Sequence, residues 1–174
     1  PGQAINFHRN IWHGVLTPMS APGLFAVIDR VAEGDNLQAS LDSKNQNLVL
    51  IRRNLKKHKN PQVYLFNISS QQYLRHTYNN GEDSSPQFYF KNHLLYASTT
   101  DENKDNIDLI NWRDKKNKSL NLDLHPEWNV PKTEIYKSQR NKTNIKRLTK
   151  RPGFDGYSQV HPKNRNTLFF TATT

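Results

Sequence analysis

Apolar residues along this chain come in short clusters broken by Gly, Pro, Asn and Asp, the pattern of a β protein rather than of helices. Ala4-Ile5-Asn6-Phe7 alternates, Trp12 to Leu16 follows, and Leu24-Phe25-Ala26-Val27-Ile28 is a continuous apolar run. Pro18, Pro22-Gly23 and Gly34-Asp35-Asn36 punctuate them, which predicts three short strands with tight connections. Three strands bury too little surface to stand alone, so they need more strands or a covering layer. No run approaches the roughly 18 apolar residues of a membrane-spanning helix.

Further along, a strand-loop-strand pattern occurs twice. Gln62-Val63-Tyr64-Leu65-Phe66-Asn67 leads to Tyr73–Thr77, the loop Asn79–Asp83, Ser84–Phe88 and the closing Leu94–Thr100. Glu134-Ile135-Tyr136 leads to Ile145–Thr149, Pro152–Tyr157, Gln159-Val160 and the closing Thr167–Thr174. Tyr64 maps to Tyr136, Arg75 to Arg147, Thr77 to Thr149, Gly81 to Gly153 and Asp83 to Asp155, all at one offset. Gly81 and Gly153 suit a turn with positive φ, and the two Asp suit side-chain to backbone bonds across the loop. Between the copies, Asp101 to Lys132 is polar and reads as an insertion, with Ile107, Leu109, Ile110 and Trp112 as a further strand or short helix.

Composition divides the chain. Residues 1–40 hold no Lys and are near neutral, whereas Lys and Asn dominate from Lys44 onward and carry all of the net charge of +10. The change falls within Leu37–Asn47. The expected organisation is therefore a segment at 1–40, a junction at 41–60, and the repeats at 61–174 with the insertion at 101–132. With no Cys, there is no disulfide, thiolate metal site or Cys nucleophile. The chain begins with Pro and shows no basic-apolar leader, so it reads as processed or as a fragment.

Candidate chemistry is concentrated near the start. His8, Arg9 and His13 cluster within six positions. His suits acid/base work near neutral pH, and Arg grips a carboxylate through two parallel bonds. On one strand His8 and His13 face opposite sides, so a turn near Asn10 is required to bring them together. The alternative is that both simply bond strand ends, with Asp29-Arg30 a surface ion pair. His-x4-His is poor ligand spacing on a strand, and neither a metal nor a cofactor is expected.

Two resemblances follow from these residues. Asn6-Phe7-His8-Arg9-Asn10-Ile11-Trp12-His13, then Phe25–Arg30, then Gly34-Asp35-Asn36 resemble the C-terminal part of ureidoglycolate lyase. That family implies a cupin-like barrel and the splitting of ureidoglycolate into glyoxylate and urea in allantoin and purine breakdown. By resemblance, His8 and His13 are acid/base or substrate contacts, Arg9 is the carboxylate clamp, and Asp29 orients one of the histidines. The repeats resemble TolB-type β-propeller blades, on Glu134-Ile135-Tyr136, Arg147-Leu148-Thr149, Gly153-Phe154-Asp155, Ser85-Pro86 and Phe169-Phe170-Thr171-Ala172. Phe90-Lys91-Asn92 and Pro162-Lys163-Asn164 replace that family's Ser-Pro-Asp-Gly hairpin.

The expected fold is thus all-β: partial cupin-like barrel strands followed by incomplete β-propeller blades. The lyase reading implies a small-molecule substrate, ureidoglycolate, and a cytoplasmic setting. As the 1–40 segment is only part of that barrel, the chain is expected to be inactive. The propeller reading implies a non-catalytic module that binds a protein partner, in a periplasmic setting. The basic patches at 52–59, 113–118 and 142–151 allow nucleic-acid binding as a third reading, but no nucleic-acid motif accompanies them, and it is disfavoured.

Overall fold

The computed structural model describes residues 35–90, 92–103, 107–109, 112, 115, 116, 118, 132–161, 163, 164 and 166–173. The three strands expected before residue 34, and His8, Arg9, His13 and Asp29, lie outside the described residues. The described part is all-β, with ten strands in three sheets. β1 (Asp35–Leu41), β2 (Asn47–Arg53), β3 (Gln62–Asn67) and β4 (Gln72–Arg75) form one antiparallel sheet in chain order. β5 (Asp83–Tyr89), β6 (His93–Ser98), β7 (Glu134–Gln139) and β8 (Lys146–Arg147) form a second of identical order. β9 (Asp155–Val160) and β10 (Leu168–Ala172) form a third, two-stranded sheet.

The repeat in the sequence and the sheets are out of phase. Each sequence unit supplies the last two strands of one sheet and the first two of the next, so the chain steps from sheet to sheet within a unit. The first sheet begins earlier than the repeat suggested. The apolar run Leu48–Ile51, inside the stretch read as a junction, is β2, and Asp35 and Asn36, read as turn residues, pair with Arg53 and Arg52 in β1. Ladder pairing overrides the weak strand preference of Asp and Asn here. Lys44-Asn45 at the β1–β2 turn matches the Lys-Asn pairs at 91–92 and 163–164 between β5 and β6 and between β9 and β10, a cue to this earlier copy, although the dipeptide also stands at 59–60 and 116–117.

Burial explains why the middle strands are continuously apolar instead of alternating. Val49, Leu50 and Ile51 of β2 are buried in succession, as are Leu94 through Ser98 of β6. Such a run requires cover on both faces of the sheet. Val49, Ile51, Val63 and Leu65 of the first sheet pack with Leu94, Tyr96 and Tyr136 of the second, with Phe88 against them. The Tyr96 and Tyr136 rings stack at 5.7 Å. β4 and β10, by contrast, are largely exposed.

β1, β5 and β9 are neighbours at the hub of the three sheets. Each departs from regular pairing, between Leu37 and Ser40, between Ser84 and Gln87, and opposite the Phe169/Thr171 shift. At each irregularity one residue takes positive φ: Gln38 at 47°, Ser85 at 49° and Tyr157 at 49°. The bulges re-aim polar groups between sheets. Gln38 Oε1 accepts from the Ser85 backbone N–H at 2.5 Å, and Gln87 Nε2 donates to Ser158 Oγ at 2.8 Å.

The repeated residues make repeated bonds. Thr77 Oγ1 accepts from the Val63 N–H at 2.8 Å, and Thr149 Oγ1 accepts from Ile135 at 2.9 Å. Arg75 Nε donates to the Thr77 carbonyl at 2.7 Å, and Arg147 Nε to that of Thr149 at 2.8 Å. The Asp83 and Asp155 N–H groups bond the Pro61 and Thr133 carbonyls at 2.9 and 3.0 Å. The glycines differ. Gly153 takes φ of 96°, whereas Gly81 does not adopt positive φ; its constraint is space, since a Cβ there would stand 2.6 Å from the Thr100 backbone nitrogen.

The aspartate side chains differ as well. Asp83 is tied by the Thr77 hydroxyl and by Asn79 Nδ2 at 3.0 Å, with the Val63 backbone N–H and the Ser98 side chain also bonding its carboxyl. Asp155 is fully buried with no hydrogen bond to either oxygen. Arg151 replaces Asn79 and stands 3.8 Å away, Ala172 replaces Ser98 as the paired residue, and Thr149 turns to Glu134 Oε2 at 2.7 Å.

Two titrating groups sit at the seam of the first two sheets. His76 Nε2 bonds Ser138 Oγ at 2.7 Å, and burial pushes the imidazole down to about 4. Burial raises Asp83 to about 6, against its hydrogen bonds from Ser98, Thr77 and Asn79. For His76, stability is fully present above the ordinary value of 6.5 and is lost as pH falls through 4. For Asp83, whose folded value is raised, stability is present below 3.8 and is lost as pH rises through 6. Each is worth on the order of 3 kcal/mol, and the two oppose each other between pH 4 and 6.5. Urea titrations across that window are therefore expected to show a nearly flat wild type. Asp83→Asn should lose stability steadily on acidification. Equal slopes for the two proteins would contradict the assignment.

Candidate ligand-binding cleft

Strand alternation brings all the short hairpins of the three sheets to one end. There the β1–β2, β5–β6 and β9–β10 turns and the β7–β8 hairpin enclose a cleft of about 930 Å³. Leu41, Phe88, Phe90 and Val160 supply its apolar lining, and Lys44, Arg140, His161 and Asp42 its charged or titratable groups.

Each polar group is placed by its own turn. Asp42 closes the first hairpin: it accepts from the Gln46 and Asn47 N–H groups at 2.8 and 3.2 Å and from Asn47 Nδ2 at 2.8 Å. Burial pushes the Asp42 carboxyl up, but these bonds and the Arg140 guanidinium outweigh it and hold the group below the usual range. Arg140 stands 3.7 Å from Asp42, and its guanidinium carbon lies 5.0 Å from the Phe88 ring centroid. Its own backbone N–H bonds the Asn92 carbonyl at 2.8 Å, which fixes the side chain over the cleft. His161 Nδ1 accepts from the Lys163 and Asn164 N–H groups at 3.1 and 2.8 Å, leaving Nε2 as the ring's protonated nitrogen in the neutral form. The arrangement offers a guanidinium over the Phe88 ring with Lys44 in the same lining, suited to a carboxylate beside an apolar side chain.

A second polar cluster lies where the insertion leaves the second sheet. Arg147 joins Glu134 and Asp101 at 2.5 Å each, and the Tyr136 hydroxyl donates to Asp101 at 2.5 Å. Burial, together with Asp101, raises the Tyr136 phenol. Every member has a partner, so this cluster locks the start of the insertion rather than presenting reactive groups. Among the described residues no group of three His, Cys, Asp or Glu is placed to hold a metal ion. Of the residues singled out from the sequence for catalysis, His8, Arg9, His13 and Asp29 lie outside the described residues. The cleft residues escaped notice because they come from four turns separated by up to 120 positions, linked only by the sheet topology.

Comparison with known proteins separates the two parts of the chain. Residues 1–49 match the ureidoglycolate lyase family. Over 38 residues the chain is 60% identical to the ureidoglycolate lyase of Rhodobacter capsulatus and 55% identical to that of Mesorhizobium japonicum. These alignments cover 22% of this chain and 24% and 23% of those enzymes, so the chain spans about a quarter of the length of the curated relatives it matches. The match runs into β1 and the first residues of β2. In three dimensions the chain is similar to a structure assigned as TolB from Agrobacterium tumefaciens, with a TM-score of 0.52 at 9% identity over 74% of this chain and 35% of that one. The likeness bears out the propeller-type blade fold. Among the described residues no helix is long and apolar enough to cross a membrane.

The closure of the first hairpin around Asp42 is directly testable. Asp42→Ala removes three hydrogen bonds to a partly buried carboxylate and should cost about 1–3 kcal/mol at pH 7 by chemical denaturation. Because the Asp42 carboxyl is held low, the difference between variant and wild type should shrink as pH falls below 4. A difference that stays constant with pH would contradict the assignment.

Proposed function

We propose that the blades form a non-catalytic binding module whose cleft takes a segment of a partner protein, and that the lyase-like start of the chain does not turn over ureidoglycolate in this context. The cleft is the observation that carries the first part: three hairpins and Arg140 build one concave surface with the Arg140 guanidinium over Phe88 and with Phe90 and Lys44 in the same lining. Such a surface fits an extended segment with an acidic residue next to an apolar one.

The second part rests on length. The matched stretch equals about a quarter of the lyases it resembles, and the chain continues from it into blade strands. In a working lyase of this kind, a base such as His8 or His13 would take the substrate hydroxyl proton. The oxygen lone pair would form the C=O bond of glyoxylate as the C–N bond breaks, and the other His would protonate the leaving urea nitrogen. Arg9 would hold the carboxylate and Asp29 would orient one His. The proposed inactivity concerns this stretch followed by blade strands, since the reaction needs walls on every side to exclude water.

Both parts are tested on the purified chain. With ureidoglycolate, glyoxylate release should stay at the uncatalysed rate; robust turnover abolished by His8→Ala would overturn the inactive reading. A displayed peptide library should enrich segments that pair Asp or Glu with an apolar residue. Their affinity should fall at least about tenfold in Arg140→Glu, since a charge-assisted bond is worth about 1.5–3 kcal/mol. Enrichment indifferent to Arg140→Glu would remove the cleft from the account.

A further inference from the structure

At the end opposite the cleft, two lysine-bearing segments far apart in sequence are clamped together. The β2–β3 loop, residues 54–61, follows Arg53 and contains Asn60, and both reach the insertion. Arg53 pairs with Asp108 at 3.2 Å. Asn60, itself buried, donates through Nδ2 to the Ile107 carbonyl at 2.7 Å and accepts from the Leu109 N–H at 3.0 Å. Asn103 reinforces the joint by donating to the same Ile107 carbonyl at 3.1 Å. From there a helical turn, with the Trp112 N–H on the Asp108 carbonyl at 2.9 Å, carries the insertion toward Lys115, Lys116 and Lys118.

The loop is held in shape from within. The Lys57 and His58 N–H groups both bond the Asn54 carbonyl, at 2.9 and 2.8 Å. The His58 ring is fixed between the Asn60 carbonyl at 2.7 Å and the Tyr64 hydroxyl at 2.8 Å. A rigid loop keeps Leu55 out of the core, where it is 67% exposed. Ile107 and Trp112 are exposed as well, at 44% and 47%. Lys57, Lys115 and Lys118, on the same two segments, are exposed too. Asp108 pairs with Arg53 and Asp101 with Arg147, and Glu102 is exposed beside them among the described residues.

We propose that this shoulder, with Leu55, Ile107 and Trp112 projecting among Lys57, Lys115 and Lys118, is a peripheral docking surface for an anionic lipid bilayer. Clustered lysines are drawn to acidic headgroups, and an exposed Leu, Ile and Trp on the two clamped segments enter the headgroup boundary, where Trp is favoured. Charge complementarity alone would equally fit a nucleic acid. The apolar tips decide against that: two of the three are aliphatic and stack on no base, whereas all three lose exposed apolar surface in a bilayer.

Sedimentation with vesicles tests it. The chain should pellet with phosphatidylcholine vesicles that contain phosphatidylglycerol and not with phosphatidylcholine alone, and salt should release it. Lys57→Glu with Lys115→Glu and Lys118→Glu should abolish pelleting. Leu55→Ser with Ile107→Ser, which leaves the charge unchanged, should weaken it about tenfold, and Leu55→Trp should retain it. Thermal transitions matched to wild type would show that the variants fold. Equal pelleting with neutral vesicles, or full binding by the Ser variant, would overturn the proposal. So would a single-stranded oligonucleotide that binds as tightly and leaves binding unaffected by the Ser substitutions.

Discussion

A four-stranded blade is a thin object, and its inner strands can be apolar throughout only if something lies on each face. In this chain one such face on each of the first two sheets is covered by a single contact, the layer in which Val49, Ile51, Val63 and Leu65 meet Leu94, Tyr96 and Tyr136, while Leu50, Leu95 and Ile135 at the alternate positions are buried on the opposite faces. The bulged hub strands stand in register because that layer sets the distance between sheets. The Gln38–Ser85 bond then crosses the gap. The hairpins of successive sheets also converge on one end for the same reason, and the cleft is the space they leave. A blade peeled away from its neighbour would expose the continuous runs of β2 and β6 and lose the cleft with them.

The strands of the repeated part were legible because they alternate with strong turn residues and because two copies reinforce each other. The single offset relating Tyr64 to Tyr136 and Arg75 to Arg147 reappears as register: Tyr64 faces Arg75 and Tyr136 faces Arg147. Less legible was the phase of the sheets. Strand order within a repeat says nothing about where one hydrogen-bonded ladder stops, and β1 and β2 hid in a Lys- and Asn-rich stretch. Asp155 shows a further limit. Its identity was conserved between the copies while its partners were not, so an orphaned carboxylate sits where a tied one was expected.

Sites were harder to read than strands. The cleft gathers Asp42, Phe88, Arg140 and His161 from four separate turns, each ordinary in sequence. The basic shoulder was visible only as two separate lysine runs, and its meaning comes from Asn60 and Arg53 pinning one run beside the other. The insertion, which read as an interruption of the repeat, is what brings them together. The two ends of the stacked blades therefore carry different chemistry: a concave, aromatic, cationic cleft at one, and a convex lysine surface with apolar tips at the other. On the reading proposed above, one end holds a partner segment while the other meets a bilayer surface.

Amide hydrogen–deuterium exchange reports whether the sheets open together or apart. If the layer between them carries the fold, the amides of β2, β3, β6 and β7 will exchange at one common slowest rate. Leu94→Ala, which removes a fully buried side chain on the second sheet, will then speed exchange in β2 and β3 as much as in β6 and β7. Acceleration confined to β6 and β7, with β2 and β3 unchanged, would show that each sheet stands alone and would contradict the account.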